Sequence, residues 1–227
     1  MAPLLPALPE AVLFDLDGTL VDTAPEFVAV IQDMRRARGL ESLEESVIRN
    51  KVTNGADTMV ALITDEAVDS PAYAATREQF LSQYEQALGT SARIYPGLRE
   101  MIANLGQRGV GWGVVTNKRR RFAEPLMAAM ALQPANYALV TPCDVQRPKP
   151  HPEAIELACR QLGVAATSSV YIGDHKRDID AGRAAGCVTV AAAYGYLEPG
   201  ESADRWQADA VVASSSSLAA LIMDIAK

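Results

Sequence analysis

Ala11-Val-Leu-Phe-Asp-Leu-Asp-Gly-Thr19 opens on four apolar residues and closes on two aspartates, a glycine and a threonine. A short apolar run of this kind reads as a buried strand, and Gly18 marks the sharp turn at its end. From Pro96 to Val212 apolar runs alternate with amphipathic stretches, the rhythm of repeated strand and helix units. Strands are predicted at Trp112 to Val115, Ala138 to Val140, Val170 to Ile172 and Val188 to Ala191, and helices at Gly97 to Gln107, Phe122 to Met130 and Glu153 to Leu162. Such alternation implies a parallel sheet covered on both faces. The predicted fold class is α/β, a doubly wound parallel-sheet core of Rossmann-like type.

The segment between the opening strand and that alternating region follows a different period. Phe27, Val30, Ile31 and Met34 recur at helical spacing from Pro25 until Gly39. Leu43 to Asn50, Ala56 to Ile63 and Tyr73 to Leu88 also read as helices, with no convincing strand among them. An inserted all-helical domain over residues 23–93 is therefore expected, with residues 1–22 and 94–227 forming the core. A chain of 227 residues has room for one core and one substantial insertion. The serine run Ser214 to Ser217 reads as the cap of a final helix, Leu218 to Ile225, rather than as a linker.

Composition narrows the partners. With 28 acidic against 21 basic side chains and a net charge of -7, a nucleic-acid partner is not expected, because phosphate-backbone binding needs a basic surface. No stretch approaches the length of a membrane span, and Met1 to Glu10 has neither the basic start nor the unbroken apolar run of an export signal. Cys143, Cys159 and Cys187 are widely spaced and indicate neither a disulfide framework nor a zinc cluster. A cytoplasmic monomer or homodimer fits these features.

In a doubly wound sheet, ligands bind at the carboxyl ends of the strands. Asp15, Asp17, Gly18 and Thr19 follow the first strand, Thr116 and Asn117 the second, and Gly173, Asp174 and Asp178 the fourth, while Lys149 precedes a helix. Several carboxylates in one crevice repel one another unless a cation lies among them. Magnesium suits that need, since it takes oxygen ligands and commonly combines carboxylates with a substrate phosphate. Thr116, Lys149 and backbone amides add the donors that a phosphate requires. Asp15 and Asp17, two residues apart, would share one face of an extended chain. One of the pair can attack phosphorus, while the other protonates the leaving alkoxide and later activates water.

The residues quoted resemble the motifs of the haloacid dehalogenase superfamily of phosphatases. Asp15-Leu-Asp-Gly-Thr-Leu-Val-Asp22 is similar to its signature, and Val115-Thr116-Asn117, the lysine within Arg147-Pro-Lys-Pro-His-Pro152, and Gly173-Asp-His-Lys-Arg-Asp178 are similar to the three motifs that follow. The resemblance implies a nucleophile at Asp15, an acid and base at Asp17, and phosphate contacts from Thr116, Asn117 and Lys149. It further implies Mg2+ held by Asp15, Asp174 and the Asp17 carbonyl, with Asp178 reaching the metal through water or orienting the lysine. The helical insertion resembles the cap that selects the substrate in this superfamily.

Within the superfamily the chain resembles phosphoglycolate phosphatases, through Asp174 to Gly186 and Ala193 to Leu197. It is also similar to N-acetylmuramic acid 6-phosphate phosphatases, through Trp112 to Lys118 and Arg121 to Pro125. Phosphoglycolate is the main expectation, the sugar phosphate the alternative. Either substrate is a small phosphorylated metabolite carrying a carboxylate, for which Arg49, Lys51, Arg77 or Arg119 to Arg121 are candidate partners. A sugar phosphomutase would use the same motifs, and a non-catalytic module binding a phosphorylated metabolite is the reading from another class. The basic run Lys118 to Arg121 reads by default as a solvated helix start. His151 and His175 read as solvated loop residues, and Cys187 as core. Tyr194, Tyr196 and Trp206 read as packing residues with a lesser chance of edging the pocket.

Overall fold

The computed structural model describes residues 9–225, so most of the segment examined for an export signal lies outside it. In chain order the elements are β1 (Ala11–Phe14), β2 (Val21–Asp22), α1 (Ala24–Ala37), α2 (Glu45–Arg49), α3 (Ala56–Val60), α4 (Pro71–Ala87), β3 (Arg93–Ile94), α5 (Leu98–Gln107), β4 (Gly111–Val115), α6 (Arg120–Met130), β5 (Ala138–Val140), α7 (Glu153–Leu162), β6 (Ser169–Gly173), α8 (Lys176–Ala185), β7 (Val188–Ala192), β8 (Ala210–Val212) and α9 (Ser215–Ile225). Six strands form one parallel sheet in the order β5-β4-β1-β6-β7-β8. The chain crosses from the β4–β5 side to the β6–β7–β8 side of β1, which places a crevice at the carboxyl end of β1.

Both faces of the sheet are covered, as the alternating pattern predicts. Val12, Phe14, Val114 and Ile172 pack against Leu98, Ile102, Leu126 and Leu218 of α5, α6 and α9. Leu13, Val115 and Tyr171 pack on the opposite side against Ile155, Ala158 and Ala181 of α7 and α8. Successive strand residues point to opposite faces, so four apolar residues in a row at β1 require burial on both.

α1 to α4 build a separate apolar cluster. Phe27, Val30, Ile31 and Met34 of α1 meet Ile48, Met59, Val60, Phe80 and Tyr84, and the cluster rests on Phe122 and Tyr196 of the sheet-bearing part. β2 and β3 form a two-stranded antiparallel pair at the root of this insertion, two residues each. Polar ties fix both crossings. The Tyr196 hydroxyl accepts from the Thr23 and Ala24 amides at 2.7 and 2.9 Å and donates to Asp22 Oδ1 at 2.7 Å. On the return crossing, buried Glu26 accepts from the amides of Ser91 and Ala92. Ser214 caps α9, its Oγ accepting from the Ser217 amide at 3.0 Å. Among the described residues no helix is long and apolar enough to cross a membrane.

Candidate active site

β1 ends at Phe14, and the next residue, Asp15, turns into the crevice almost wholly buried. Its Oδ1 lies 2.9 Å from Lys149 Nζ. That ammonium also pairs with Asp178 Oδ1 at 2.7 Å and donates to the Val115 carbonyl and the Tyr171 hydroxyl, both at 2.8 Å. Lys149 is therefore a fixed buried cation. Asn117 helps to seat it, donating from Nδ2 to the Lys149 carbonyl at 2.9 Å. Asp178 sits in the first turn of α8, where its Oδ2 accepts from the His175 amide. Of the two roles open to Asp178, the contact present in the structure is the one to the lysine.

Asp174 is buried at the end of β6. The Thr19 hydroxyl donates to its Oδ1 at 3.0 Å and the Tyr196 amide to its Oδ2 at 2.8 Å. Two glycines let the backbone come this close. A Cβ on Gly18 would fall 2.1 Å from Asp174 Oδ2, and one on Gly195 would fall 2.2 Å from Asp174 Cβ. Gly18 also has φ of +82°, a conformation costly for a residue with a side chain. Carboxylate oxygens of Asp15, Asp174 and Asp178 all lie within 4.8 Å of one another.

Asp17 lies in the turn beyond β1 and borders the same cavity as Asp15, with different partners. Its Oδ1 accepts from the Thr23 hydroxyl at 2.6 Å and pairs with Lys118 Nζ at 2.8 Å. The Asp17 carboxylate thus stands apart from the three-carboxylate cluster, which leaves its carbonyl as the atom for the metal role drawn from the resemblance. Thr116 continues from β4; its hydroxyl accepts from the Lys118 amide at 3.1 Å.

A cavity of about 260 Å³ lies over these groups. Asp15, Asp17, Thr116, Asn117 and Lys149 form its floor, while Phe27, Phe80 and Tyr84 come from the helical insertion. Arg77, Arg119, Arg121 and Arg177 also line it. Arg49 instead pairs with Asp22 at 2.8 Å and lies over the Tyr196 ring, and neither it nor Lys51 borders this cavity.

The profile of haloacid dehalogenase-like hydrolases matches residues 12–192. The chain belongs to this family. It is 44% identical over 203 residues to the N-acetylmuramic acid 6-phosphate phosphatase of Pseudomonas aeruginosa, covering 89% of this chain and 90% of that one. It is 40% identical over 204 residues to a phosphoglycolate phosphatase of Xanthomonas campestris pv. campestris, covering 90% and 92%. Among solved structures, a predicted phosphoglycolate phosphatase from Haemophilus somnus 129pt superposes with a TM-score of 0.82 at 24% identity, covering 95% of this chain and 98% of that one, a likeness of fold. This haloacid dehalogenase-like hydrolase is a phosphatase with a Rossmann-like core and a helical cap.

The donor set of the hydrolase suits a hard divalent cation, because it offers carboxylate oxygens and no thiolate or imidazole. Burial pushes the Asp15 carboxyl up to about 6 even though Lys149 opposes the shift. Burial and the neighbouring Asp15 carboxylate raise Asp174 well above its ordinary range. A carboxyl whose folded value is raised contributes stability that is complete below its unfolded value, near 4, and is lost as pH rises through the folded value. As pH rises the metal-free protein gains carboxylate charge that Lys149 offsets only in part, and a divalent cation binds the ionised form. Mg2+ is expected to raise the melting temperature more at pH 8 than at pH 5. Equal shifts at the two pH values in thermal unfolding would contradict that linkage.

Several side chains take roles that their local sequence does not suggest. Lys118 is not solvated; its side chain is 6% exposed. In the same basic run, Arg120 pairs with Asp144 at 2.8 Å, and Arg119 and Arg121 border the cavity. His175 is half-buried rather than solvated, its Nδ1 accepting from the Arg177 amide as the cap of α8, and its ring stacks near Trp206. An Nδ1 that accepts is unprotonated, consistent with burial holding this imidazole below its ordinary value. His151 Nδ1 likewise accepts from the Glu153 amide. Cys187 is buried, as expected. Tyr194 and Tyr196 serve the turns around Thr19 and Asp22 and not the cavity wall.

Proposed function

We propose that this phosphatase hydrolyses N-acetylmuramic acid 6-phosphate, with Mg2+ as cofactor and an aspartyl phosphate on Asp15 as intermediate. The observation that carries the chemistry is the division between the two aspartates: Asp15 faces Lys149 and the carboxylate cluster, whereas Asp17 lies outside that cluster and borders the cavity. In the first step an Asp15 carboxylate oxygen attacks phosphorus and the ester P–O bond breaks. Asp17 protonates the departing alkoxide. In the second step Asp17 takes a proton from water as the water oxygen attacks phosphorus. The bond to Asp15 then breaks, inorganic phosphate leaves and Asp17 is restored to its acid form.

Lys149 and the Thr116 hydroxyl hold the phosphoryl oxygens, and Asn117 supports Lys149 through its carbonyl. Asp15, Asp174 and the Asp17 carbonyl would hold Mg2+, which would supply positive charge to offset the carboxylates and the phosphoryl group. Residues 23–93 act as the cap that excludes water around the leaving group.

Two features favour the sugar ester over phosphoglycolate. The greater identity, 44% against 40%, is to the sugar-phosphate enzyme. The cavity, about 260 Å³ with aromatic side chains on the cap side, also offers more room than a two-carbon acid fills. Arg119, Arg121 and Arg177 line this cavity and are candidate partners for the lactyl carboxylate. Phosphoglycolate is the second reading, supported by the 40% identity to the Xanthomonas enzyme. The test is phosphate release from both esters in Mg2+. The sugar phosphate is expected to give a kcat/KM higher by about 10-fold or more, the scale on which a filled pocket discriminates; the reverse order would transfer the assignment to phosphoglycolate.

A further inference from the structure

Lys118 is a residue of the catalytic crevice to which the four motifs give no task. It lies between β4 and α6, and its ammonium is 2.8 and 3.1 Å from the two carboxylate oxygens of Asp17. It donates to the Tyr84 hydroxyl at 2.6 Å and stands 5.2 and 4.8 Å from the ring centres of Phe27 and Tyr84. Phe27 and Tyr84 belong to α1 and α4 of the helical insertion and stack on each other at 4.2 Å. Asp17 belongs to the turn after β1. One lysine therefore touches the carboxylate on the core side and an aromatic pair on the cap side.

Burying an ammonium costs several kcal/mol unless partners replace its water. A carboxylate, a phenol oxygen and two ring faces do so here. Lys118 pairs with Asp17, whereas Lys149 pairs with Asp15 and Asp178 of the cluster. The two lysines thus have separate geometric duties. Asp17 is gripped from two sides, by the Thr23 hydroxyl at the entry to the cap and by Lys118, which also contacts Tyr84 of α4.

We propose that Lys118 is a positioning residue for Asp17, fixing the direction from which that carboxyl group, in its acid form, gives its proton to the leaving oxygen, and that Tyr84 and Phe27 hold Lys118 in place when the cap lies as it does here. The inference rests on the reading of Asp17 as acid and base. It makes a claim about leaving groups that a structural role does not. An alkyl ester leaves as a strongly basic alkoxide and needs the proton, whereas p-nitrophenolate leaves without one.

The test uses the Mg2+-loaded enzyme under single-turnover conditions. Phosphoryl transfer from N-acetylmuramic acid 6-phosphate or 2-phosphoglycolate, whichever is the better alkyl ester, is compared with the p-nitrophenolate burst from p-nitrophenyl phosphate. Lys118→Met keeps the apolar stem over the rings and removes the charge. It is expected to slow the alkyl ester by about 30-fold or more, part of the 10²- to 10⁴-fold that a general acid supplies, with a much smaller effect on the burst. Lys118→Arg should recover part of the alkyl rate, and Tyr84→Phe should lower the alkyl-to-aryl ratio by less than Lys118→Met does.

Asp17→Asn is run alongside. If it discriminates between the two leaving groups while Lys118→Met slows both equally or neither, the positioning role is overturned and the acid role of Asp17 stands. If Asp17→Asn does not discriminate, the acid role falls and the inference falls with it. Should Lys118→Met not fold, an unchanged alkyl-to-aryl ratio in Tyr84→Phe overturns the inference on its own.

Discussion

Asp15→Asn is expected to lower phosphate release from every ester by about 10⁵-fold or more, the scale of losing a nucleophile outright. An amide of nearly the same shape fits where β1 delivers the carboxylate, so the sheet and the cavity floor should be retained. It cannot form an acyl phosphate. Its effect on stability should be small because two changes oppose each other. The substitution removes one of three crowded carboxylates, and it also removes one of the two acids paired with Lys149. Asp178, 2.7 Å from the ammonium, continues to neutralise it. A melting temperature within a few degrees of the parent, with no acid-stable phosphate label on the protein, is the predicted result. Turnover close to that of the parent would remove Asp15 from the mechanism.

Lys149→Met should have the largest effect on folding. The side chain is 1% exposed and pairs with two carboxylates that are themselves almost fully buried. Removing one partner of a buried ionic cluster leaves uncompensated charge, a cost of about 3–5 kcal/mol, or on the order of 10 °C in melting temperature for a chain of this size. A divalent cation brings positive charge to the same carboxylates. Mg2+ is therefore expected to restore part of the lost melting temperature without restoring turnover, since the proposed mechanism also assigns Lys149 to the phosphoryl oxygens. Thermal unfolding with and without Mg2+ measures both parts. A drop of only a degree or two would mean that the buried cluster contributes little net stability.

The residues that were legible in the sequence are those whose function lies beside them in the chain. Asp15 follows an apolar strand, Gly18 makes its own turn, and Lys149 is framed by Pro148 and Pro150. The parallel sheet was also readable, because the central strands Ala11–Phe14 and Gly111–Val115 carry their burial in runs of residues without charge or hydrogen-bonding side chains other than the indole of Trp112. β2 and β3 are only two residues long, too short to show any period. Lys118 escaped for a different reason. Within Lys118 to Arg121 it looks like any member of a basic run, and its partners, Asp17, Phe27 and Tyr84, come from three distant places. Tyr196 is similar, since its hydroxyl meets residues 172 to 174 positions away.

Tyr196 grips the molecule at both ends of its own atoms. Its amide donates to Asp174, and its phenol oxygen takes the first two amides of the passage into α1. This makes it a fulcrum set on the bedrock of the carboxylate cluster. A swing of α1 to α4 about that point would move Tyr84 of α4, while Asp174 would keep its bond to the Tyr196 amide. Such a motion would admit a new substrate without disturbing the carboxylates beneath it, and the two demands of rigid chemistry and open access would fall on opposite sides of a single ring.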